Sequence, residues 1–168
     1  MFKPTRIVVH CSATPEGREH TAEDIHQWHR QRGWFEIGYH KVVRLDGMIE
    51  DGRPESKQGA HAYGHNNDSL AVCYIGGIGE DQYPKDTRTD AQKIALLEVC
   101  TDWCQRYGIS PLAVVGHTEL NPSKACPCFD MVNFRQNLQR ELTRPRPPVN
   151  PPEPWWNTLL KLFGGNAR

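Results

Sequence analysis

The stretch RIVVHCS, residues 6–12, contains the first buried strand that the sequence predicts. Its Ile-Val-Val run is continuously apolar, has strand length, and ends in polar residues that begin with His10. The stretch LAVVGHT, residues 112–118, has the same form and ends at His117. Strand ends are where a sheet presents side chains to a surface cleft, so both histidines are candidates for a functional site.

Three helices, a hairpin and a third buried strand complete the predicted fold. The helices span residues 21–33, 89–108 and 130–142. The hairpin spans residues 37–53, with its turn at Asp46–Gly47. The strand is SLAVCYIGG, residues 69–77. Thr21 and Thr89 each begin a capping box, which fixes the first turn of a helix. The residues predicted to face the core are Ile25, Trp28, Ile94, Leu97, Cys100, Cys104, Met131, Phe134, Leu138 and Leu142. This order of elements predicts an α/β domain with a single mixed β-sheet covered by helices.

Composition limits the partners and the compartment of the chain. The 168 residues suit one domain with a short appendage, and 20 Lys plus Arg balance 20 Asp plus Glu. A net charge of zero gives no general attraction to nucleic acid, so no nucleic-acid partner is expected. The N-terminal apolar run is too short for a signal peptide. We therefore expect a cytoplasmic monomer whose six cysteines are reduced.

A metal site is one interpretation of the two strand-end histidines. A catalytic zinc ion takes three protein ligands, so His10 and His117 need one further N, O or S donor. Cys126 follows His117 by nine positions, in a proline-containing loop that can turn the thiolate back toward the imidazole. The alternative is that both histidines make ordinary hydrogen bonds and Cys126 is a free thiol on a loop. The residues alone leave both interpretations open.

Four motifs in order carry a resemblance to a known family. They are VVHCSAT, QWHRQRGWFEIGYHKVVRLDG, AHAYGHNNDSLAVCYIGG and GHTELNPSKACPCFD. Over residues 5–142 the chain resembles the zinc-dependent N-acetylmuramoyl-L-alanine amidases, in particular the bacteriophage amidase-type lysozymes. The family also includes the peptidoglycan recognition proteins of animals. The resemblance implies their fold and hydrolysis of the amide between the lactyl group of N-acetylmuramic acid and the first L-alanine of the stem peptide.

The resemblance also implies a cofactor, its ligands and two catalytic residues. The family's zinc ligands fall on His10, His117 and Cys126, its catalytic tyrosine on Tyr39 and its catalytic lysine on Lys124. Zinc held in this way lowers the pKa of a bound water toward neutrality. The phenol of Tyr39 would then relay a proton, and the ammonium of Lys124 would stabilise charge on the tetrahedral intermediate. The alternatives are that Tyr39 only packs and that Lys124 is a solvated loop charge.

Two details qualify this assignment. Tyr39 is expected in a strand, where side chains alternate, so that Tyr39 faces the cleft and His40 faces the opposite side. The segment between the second and third ligands is one residue longer than in the phage enzymes. Cys128 and Asp130 are therefore alternatives to Cys126 as the third ligand.

The remaining histidines and cysteines are predicted to lie in the substrate groove, on the surface or in the core. The resemblance places His61 and Asn67 in the substrate groove, accompanied by Ser69. Surface positions are expected for His20, His26, His29 and His65. Core positions are expected for Cys11, on the opposite side of its strand from the ligand, and for Cys100 and Cys104, on an apolar helix face.

The composition changes abruptly near the C-terminus. An amidase domain is predicted over residues 1–143, a proline-rich linker over 144–154 and a short amphipathic tail over 155–168. The tail is predicted to dock on the domain, to lie in a membrane interface or to bind a partner groove. It is too short to span a bilayer.

The resemblance implies a phage-type endolysin that is held in the host cytoplasm before lysis and then acts on the cell wall. Its substrate would be peptidoglycan or released muropeptides, and the sequence does not distinguish between them. The alternative function is a non-catalytic peptidoglycan-binding or regulatory module, because some members of the family keep the groove without the metal.

Overall fold

The structure, a computed structural model, describes residues 2–144. Its strands are β1 (Arg6–Cys11), β2 (Thr14–Pro15), β3 (Lys41–Val43), β4 (Ile49–Asp51), β5 (Ser69–Tyr74), β6 (Gly77–Ile78) and β7 (Val114–Gly116). Its helices are α1 (Ala22–Gln31), α2 (Asp90–Tyr107), α3 (His117–Leu120) and α4 (Met131–Thr143), with 3₁₀ turns at Asn66–Asp68 and Pro111–Ala113. Apart from Arg144, the predicted linker and tail lie outside the described residues. Within the described part, no helix has the length and apolarity needed to cross a membrane.

A five-stranded mixed sheet forms the centre of the fold, in the order β4-β3-β5-β1-β7. All neighbours are parallel except β4, which is antiparallel to β3. In the pairing of β1 with β7, Val9 lies opposite Gly116. The residues that follow, His10 near the end of β1 and His117 directly after β7, therefore lie at the same edge of the sheet. The predicted mixed α/β architecture is confirmed.

The structure adds a second, two-stranded ladder between β2 and β6. This ladder continues the direction of β1 and β5 after a short interruption. Ala13 and Gly76, in the interruption, have φ values of 55° and 131°, which the extended conformation of a strand does not allow. The prediction of a single sheet was therefore incomplete.

Helices cover both faces of the central sheet. On one face, α1 packs Ile25 against Ile37, Val42, Cys73 and Ile75. On the other face, α2 and α4 bury their apolar sides against β1, β5 and β7. The largest side chains of that second core are Trp103, Tyr74, Phe134, Leu70, Leu96, Leu138 and Ile7. The sheet is thus fixed from both sides, and its carboxyl edge is left for the site.

The helix ends follow the predicted caps, and the core face of α2 departs from the prediction at Ile94. Thr21 and Thr89 form complete capping boxes, and Gly108 ends α2 in the left-handed conformation. Ile94 was predicted to be inside and is 68% exposed. Gln92 is buried instead, and its amide donates to the carbonyls of Val43 and Ile75. The buried face of α2 therefore includes a polar residue that the apolar pattern did not indicate.

Candidate metal centre and active site

Three side chains that the sequence places far apart meet at the carboxyl edge of the sheet. His10 lies in β1, His117 is the first residue of α3 directly after β7, and Cys126 lies in the following loop. One ligand atom from each lies within 4.8 Å of the other two, and no other such group of three occurs among residues 2–144. His10 is only 1% exposed. The parallel pairing of β1 and β7 is what brings the two histidines together.

Backbone hydrogen bonds close the loop that returns Cys126 to this edge. The N–H of Thr118 donates to the carbonyl of Cys126 at 2.7 Å. At the tip, the N–H of Lys124 donates to the carbonyl of Asn121, and the side chain of Asn121 accepts from Ser123. Hydrogen bonds therefore hold both the tip of this loop and its base beside Cys126.

The donor set fits a zinc ion. The sulfur of Cys126 lies 3.7 Å from Nδ1 of His10, and the backbone N–H of Cys11 donates to that sulfur at 3.1 Å. A tetrahedral zinc ion with ordinary bond lengths places its ligand atoms about 3.5 Å from one another. Small side-chain rotations bring the three donors to that spacing. The N–H of Cys11 also stabilises a thiolate, which is the form that binds metal.

The histidines of the site are held in the neutral form. Burial lowers the pKa of His10 well below its usual value, and the nearby His61 and His117 act in the same direction. Burial also lowers the pKa of His117, with a further contribution from the positive charge of Lys124. The pKa of His61 falls to about 3, chiefly through burial. Neutral imidazoles at neutral pH are the form required of metal ligands.

Tyr39 lies beside the three donors, although it is not in a strand as predicted. Its ring centroid is 5.1 Å from that of His10, while β3 begins only at Lys41. The segment is held by Arg53, whose backbone N–H donates to the carbonyl of Tyr39 and whose side chain donates to that of Ile37. Burial raises the pKa of Tyr39 well above its usual value. The phenol is therefore a hydrogen-bond donor at neutral pH.

His40, which was predicted to face away from the cleft, and Lys124, the second predicted catalytic residue, lie in different surroundings. The ring of His40 accepts from the N–H of Ala71 and lies 3.0 Å from the carbonyl of Lys57, on the side of the second core. Lys124 is exposed at the loop tip, close enough to His117 to affect its pKa. Of this pair, Lys124 is the residue whose charge reaches the donor cluster.

His61 and Asn67, both predicted to bind substrate, lie in different surroundings. Nδ1 of His61 is 3.1 Å from Nε2 of His10. Asn67 is exposed on the first 3₁₀ turn. Its neighbour Asn66, which the sequence did not single out, accepts from the backbone N–H groups of His61 and Ala62. The loop around His61 is therefore held by Asn66.

The two alternative ligands point elsewhere. The sulfur of Cys128 lies 3.7 Å from that of Cys11, which is buried as predicted. The carboxylate of Asp130 caps α4 by accepting from the N–H of Val132 at 2.7 Å. Cys100 and Cys104 are buried in the core, as predicted. Among the cysteines, Cys126 is the one grouped with both histidines.

One surface assignment was wrong. His29 was expected on the surface of α1 but is 5% exposed, and its Nδ1 accepts from the N–H of Gly38 at 3.0 Å. Its ring centroid lies 5.5 Å from that of Tyr39. His29 follows Ile25 by four residues, so the period of α1 places both on the buried face, and the loop after the helix adds further cover. Trp34 in that loop packs on its ring at 4.5 Å.

A cavity does not by itself locate the site. One cavity of about 540 Å³ lies between α2 and α4 and is lined by none of the three donors. Its lining includes Ile94, Leu97, Glu98 and Glu141. The donor chemistry at the sheet edge is the more specific signal, because a metal site needs converging ligand atoms rather than a large volume.

Comparison with known proteins identifies the family. The family profile described as N-acetylmuramoyl-L-alanine amidase matches residues 2–129. The chain belongs to this family. The amidase is 38% identical over 125 residues to the endolysin of Escherichia phage T7, which covers 74% of this chain and 81% of that protein. It is also 37% identical over 127 residues to the endolysin of Klebsiella phage KP32, a match that covers 76% of this chain and 82% of that protein.

Solved structures agree with this assignment. The amidase matches N-acetylmuramoyl-L-alanine amidase LysC from Clostridium intestinale with a TM-score of 0.70 and 29% identity, over 82% of this chain and 87% of that one. It matches the Drosophila peptidoglycan recognition protein PGRP-LB with a TM-score of 0.62 and 25% identity, over 76% of each chain. The predicted family and its fold are confirmed.

Proposed function

We propose that this amidase hydrolyses the amide bond between N-acetylmuramic acid and L-alanine in peptidoglycan, with zinc as its cofactor. Membership of the N-acetylmuramoyl-L-alanine amidase family supports the reaction. The single observation that supports the cofactor is the group of His10, His117 and Cys126, whose ligand atoms lie within 4.8 Å of one another. Two nitrogens and one sulfur are a donor set typical of zinc, and three protein ligands are typical of a catalytic site.

His10, His117 and Cys126 would hold the zinc ion. When bound, zinc polarises the scissile carbonyl and lowers the pKa of water, which supplies a nucleophile at neutral pH. The N–H of Cys11 donates to the sulfur of Cys126, so part of the ligand's negative charge is neutralised by the protein backbone.

Tyr39 and Lys124 supply the proton transfer and the positive charge. The phenol of Tyr39 is protonated at neutral pH, and burial raises its pKa further, so it has a proton to donate to the leaving nitrogen of L-alanine. The ammonium of Lys124, on the loop tip, stabilises the negative charge that develops on the carbonyl oxygen. The exposed position of Lys124 allows its side chain to reach a substrate that enters from solvent.

The biological setting follows from the phage relatives. Two of them are endolysins that match more than four fifths of their own length. We assign this protein to the same role, as an enzyme held in the host cytoplasm before lysis that then acts on the cell wall as a monomer. Polymeric peptidoglycan is the substrate that this role requires.

Digestion of purified peptidoglycan tests the proposal. We expect new L-alanine amino termini without new reducing sugar ends, because the bond that breaks is an amide. A chelator should abolish the release, and one equivalent of zinc should restore it. Release of reducing ends would contradict the proposed bond. Binding to peptidoglycan without cleavage by the zinc-loaded protein would instead support a non-catalytic binding module.

A further inference from the structure

A continuous row of polar atoms leads away from the metal centre into the protein. Nε2 of His10 lies 3.1 Å from Nδ1 of His61, and Nε2 of His61 lies 3.3 Å from the hydroxyl oxygen of Ser69. The hydroxyl of Ser69 in turn donates to the backbone carbonyl of His65. Ser69 is completely buried at the start of β5, and His10 is 1% exposed. The row is therefore fixed by the sheet at both ends.

The direction of every hydrogen bond in this row follows from its last member. The carbonyl of His65 can only accept, so the single hydroxyl proton of Ser69 points toward it. Ser69 must then accept from Nε2–H of His61, which leaves Nδ1 of His61 as an acceptor. His10 must then donate from Nε2–H. The reverse direction would place the oxygens of Ser69 and His65 in close contact without a proton between them.

The consequence falls on the metal-facing nitrogen of His10. With its proton on Nε2, the neutral imidazole of His10 carries a lone pair on Nδ1. Nδ1 is the atom that lies 3.7 Å from the sulfur of Cys126. The opposite tautomer would carry its proton on Nδ1, and that proton would have to move before Nδ1 could bind a metal. Histidine ligands are commonly held in this way by an acceptor for their second nitrogen.

Local structure supports a fixed position for the ring of His61. The N–H groups of His61 and Ala62 both donate to the side chain of Asn66, at 2.8 and 2.9 Å. Behind the ring lies Gly59, where an added Cβ would come within 2.6 Å of Cδ2 of His61. The backbone at position 59 is thus in close contact with the ring. His61 is oriented toward His10 by its loop and does not depend on a substrate for that orientation.

We propose that His61 and Ser69 are positioning residues that fix His10 in its Nε2–H tautomer and thereby present Nδ1 as the metal ligand. This inference rests on the proposed function, because it concerns the same metal centre. It replaces the predicted substrate-binding role of His61 by one that acts through His10. Asn67, which makes no contact with this row in the described structure, has no part in it.

The first test uses the unaltered full-length protein without metal. Long-range proton–nitrogen NMR correlations of ¹⁵N-labelled protein at neutral pH distinguish protonated from unprotonated ring nitrogens. We expect protonated Nε2 and unprotonated Nδ1 in both His10 and His61. A protonated Nδ1 in His10, or a mixture of its two tautomers, would overturn the proposal. The result does not depend on catalysis, so failure of the proposed function and failure of this inference are distinguishable.

Zinc affinity of variants is the second test, measured by competition with a chelator. His61→Leu should weaken zinc binding by about 10- to 100-fold, because it removes the acceptor for His10. His61→Asn should recover most of the affinity, since its side-chain oxygen can take the place of Nδ1. His65→Ala is the matched control and should bind zinc normally, because it keeps the backbone carbonyl. Normal zinc affinity in His61→Leu would contradict the proposal.

Discussion

At the residue scale, the chemistry of each side chain in the site depends on the groups that surround it. Tyr39 is the clearest example, because the raised pKa of its phenol comes mainly from burial. Its ring packs between His10 and His29, with centroid distances of 5.1 and 5.5 Å. The ring and the hydroxyl therefore have separable contributions, one to packing and the other to proton transfer.

Replacing Tyr39 by phenylalanine separates these contributions. Tyr39→Phe should keep the packing and the bound zinc but lower kcat by about 10²- to 10⁴-fold, the range typical of a lost general acid. Tyr63→Phe is the matched control, since Tyr63 is fully exposed, and it should leave kcat unchanged. Steady-state kinetics on peptidoglycan, with zinc content measured in parallel, checks this. Unchanged kcat in Tyr39→Phe would exclude the catalytic role.

His29 gives a prediction about acid stability. Burial lowers its pKa from 6.5 to about 4, so between these values the unfolded chain binds a proton that the folded chain does not. The stabilising effect is complete above pH 6.5 and is lost as the pH falls toward 4. In the presence of a chelator, His29→Asn should reduce the pH dependence of the unfolding free energy by up to about 1 kcal/mol per pH unit. Denaturant titrations of the wild type and of His29→Asn at pH 7 and pH 5 test this. An unfolding free energy that changes equally with pH in both proteins would contradict it.

The residue scale also marks the limit of what sequence reasoning could find. The pairing of His10 with His117 could be anticipated, because both follow apolar runs and parallel strands end at one edge. The contact between His10 and His61 could not, since it joins positions 51 residues apart through a loop without regular periodicity. The burial of His29 did have a local signal, because His29 lies four residues after Ile25 on the same face of α1.

At the element scale, most of the architecture was predictable from local signals. The capping boxes of α1 and α2 and the turn at Asp46–Gly47 all formed as predicted, because caps and turns depend on residues close in sequence. The burial of Gln92 in α2 was not predicted, because its carbonyl partners lie in two other segments. Partners of this kind belong to the tertiary structure and leave no local pattern.

The junction between β7 and α3 is where an element most directly sets the site. A Cβ added to Gly116 would lie 2.6 Å from Cδ of Pro127, the neighbour of Cys126. Gly116→Ala should therefore displace the ligand loop, lower the unfolding free energy by about 1–3 kcal/mol and weaken zinc binding. Denaturant unfolding of the metal-free protein and chelator competition measure the two effects. A variant that matches the wild type in both would show that this close packing is not needed.

At the scale of the whole molecule, the described residues form a five-stranded sheet with helices on both faces and a two-stranded ladder beside it. They include every proposed site residue. The proposed domain boundary at 143 predicts that the C-terminal segment is not needed for folding or catalysis. A protein shortened after Arg144 should keep its unfolding midpoint, its zinc and its amidase activity. A large loss of stability after this truncation would contradict the boundary and would favour docking of the tail on the domain.

Liposome flotation addresses the remaining interpretations of the tail. Flotation of the full-length protein but not of the shortened one would assign residues 155–168 to a membrane interface. Absence of flotation in both, with unchanged stability, would leave binding to a partner as the interpretation. Both the full-length and the shortened protein contain the amidase domain, so a difference in flotation between them is due to the C-terminal segment.

The identity of the metal ligands is the central claim, and X-ray absorption at the zinc edge tests it most directly. Protein loaded with one equivalent of zinc should show one sulfur at about 2.3 Å and imidazole nitrogens at about 2.0–2.1 Å. Cys126→Ser should lose the sulfur signal together with most of the zinc affinity and activity, whereas Cys128→Ser should keep all three. A wild-type spectrum without sulfur, or a Cys126→Ser protein with stoichiometric zinc and full activity, would contradict the account.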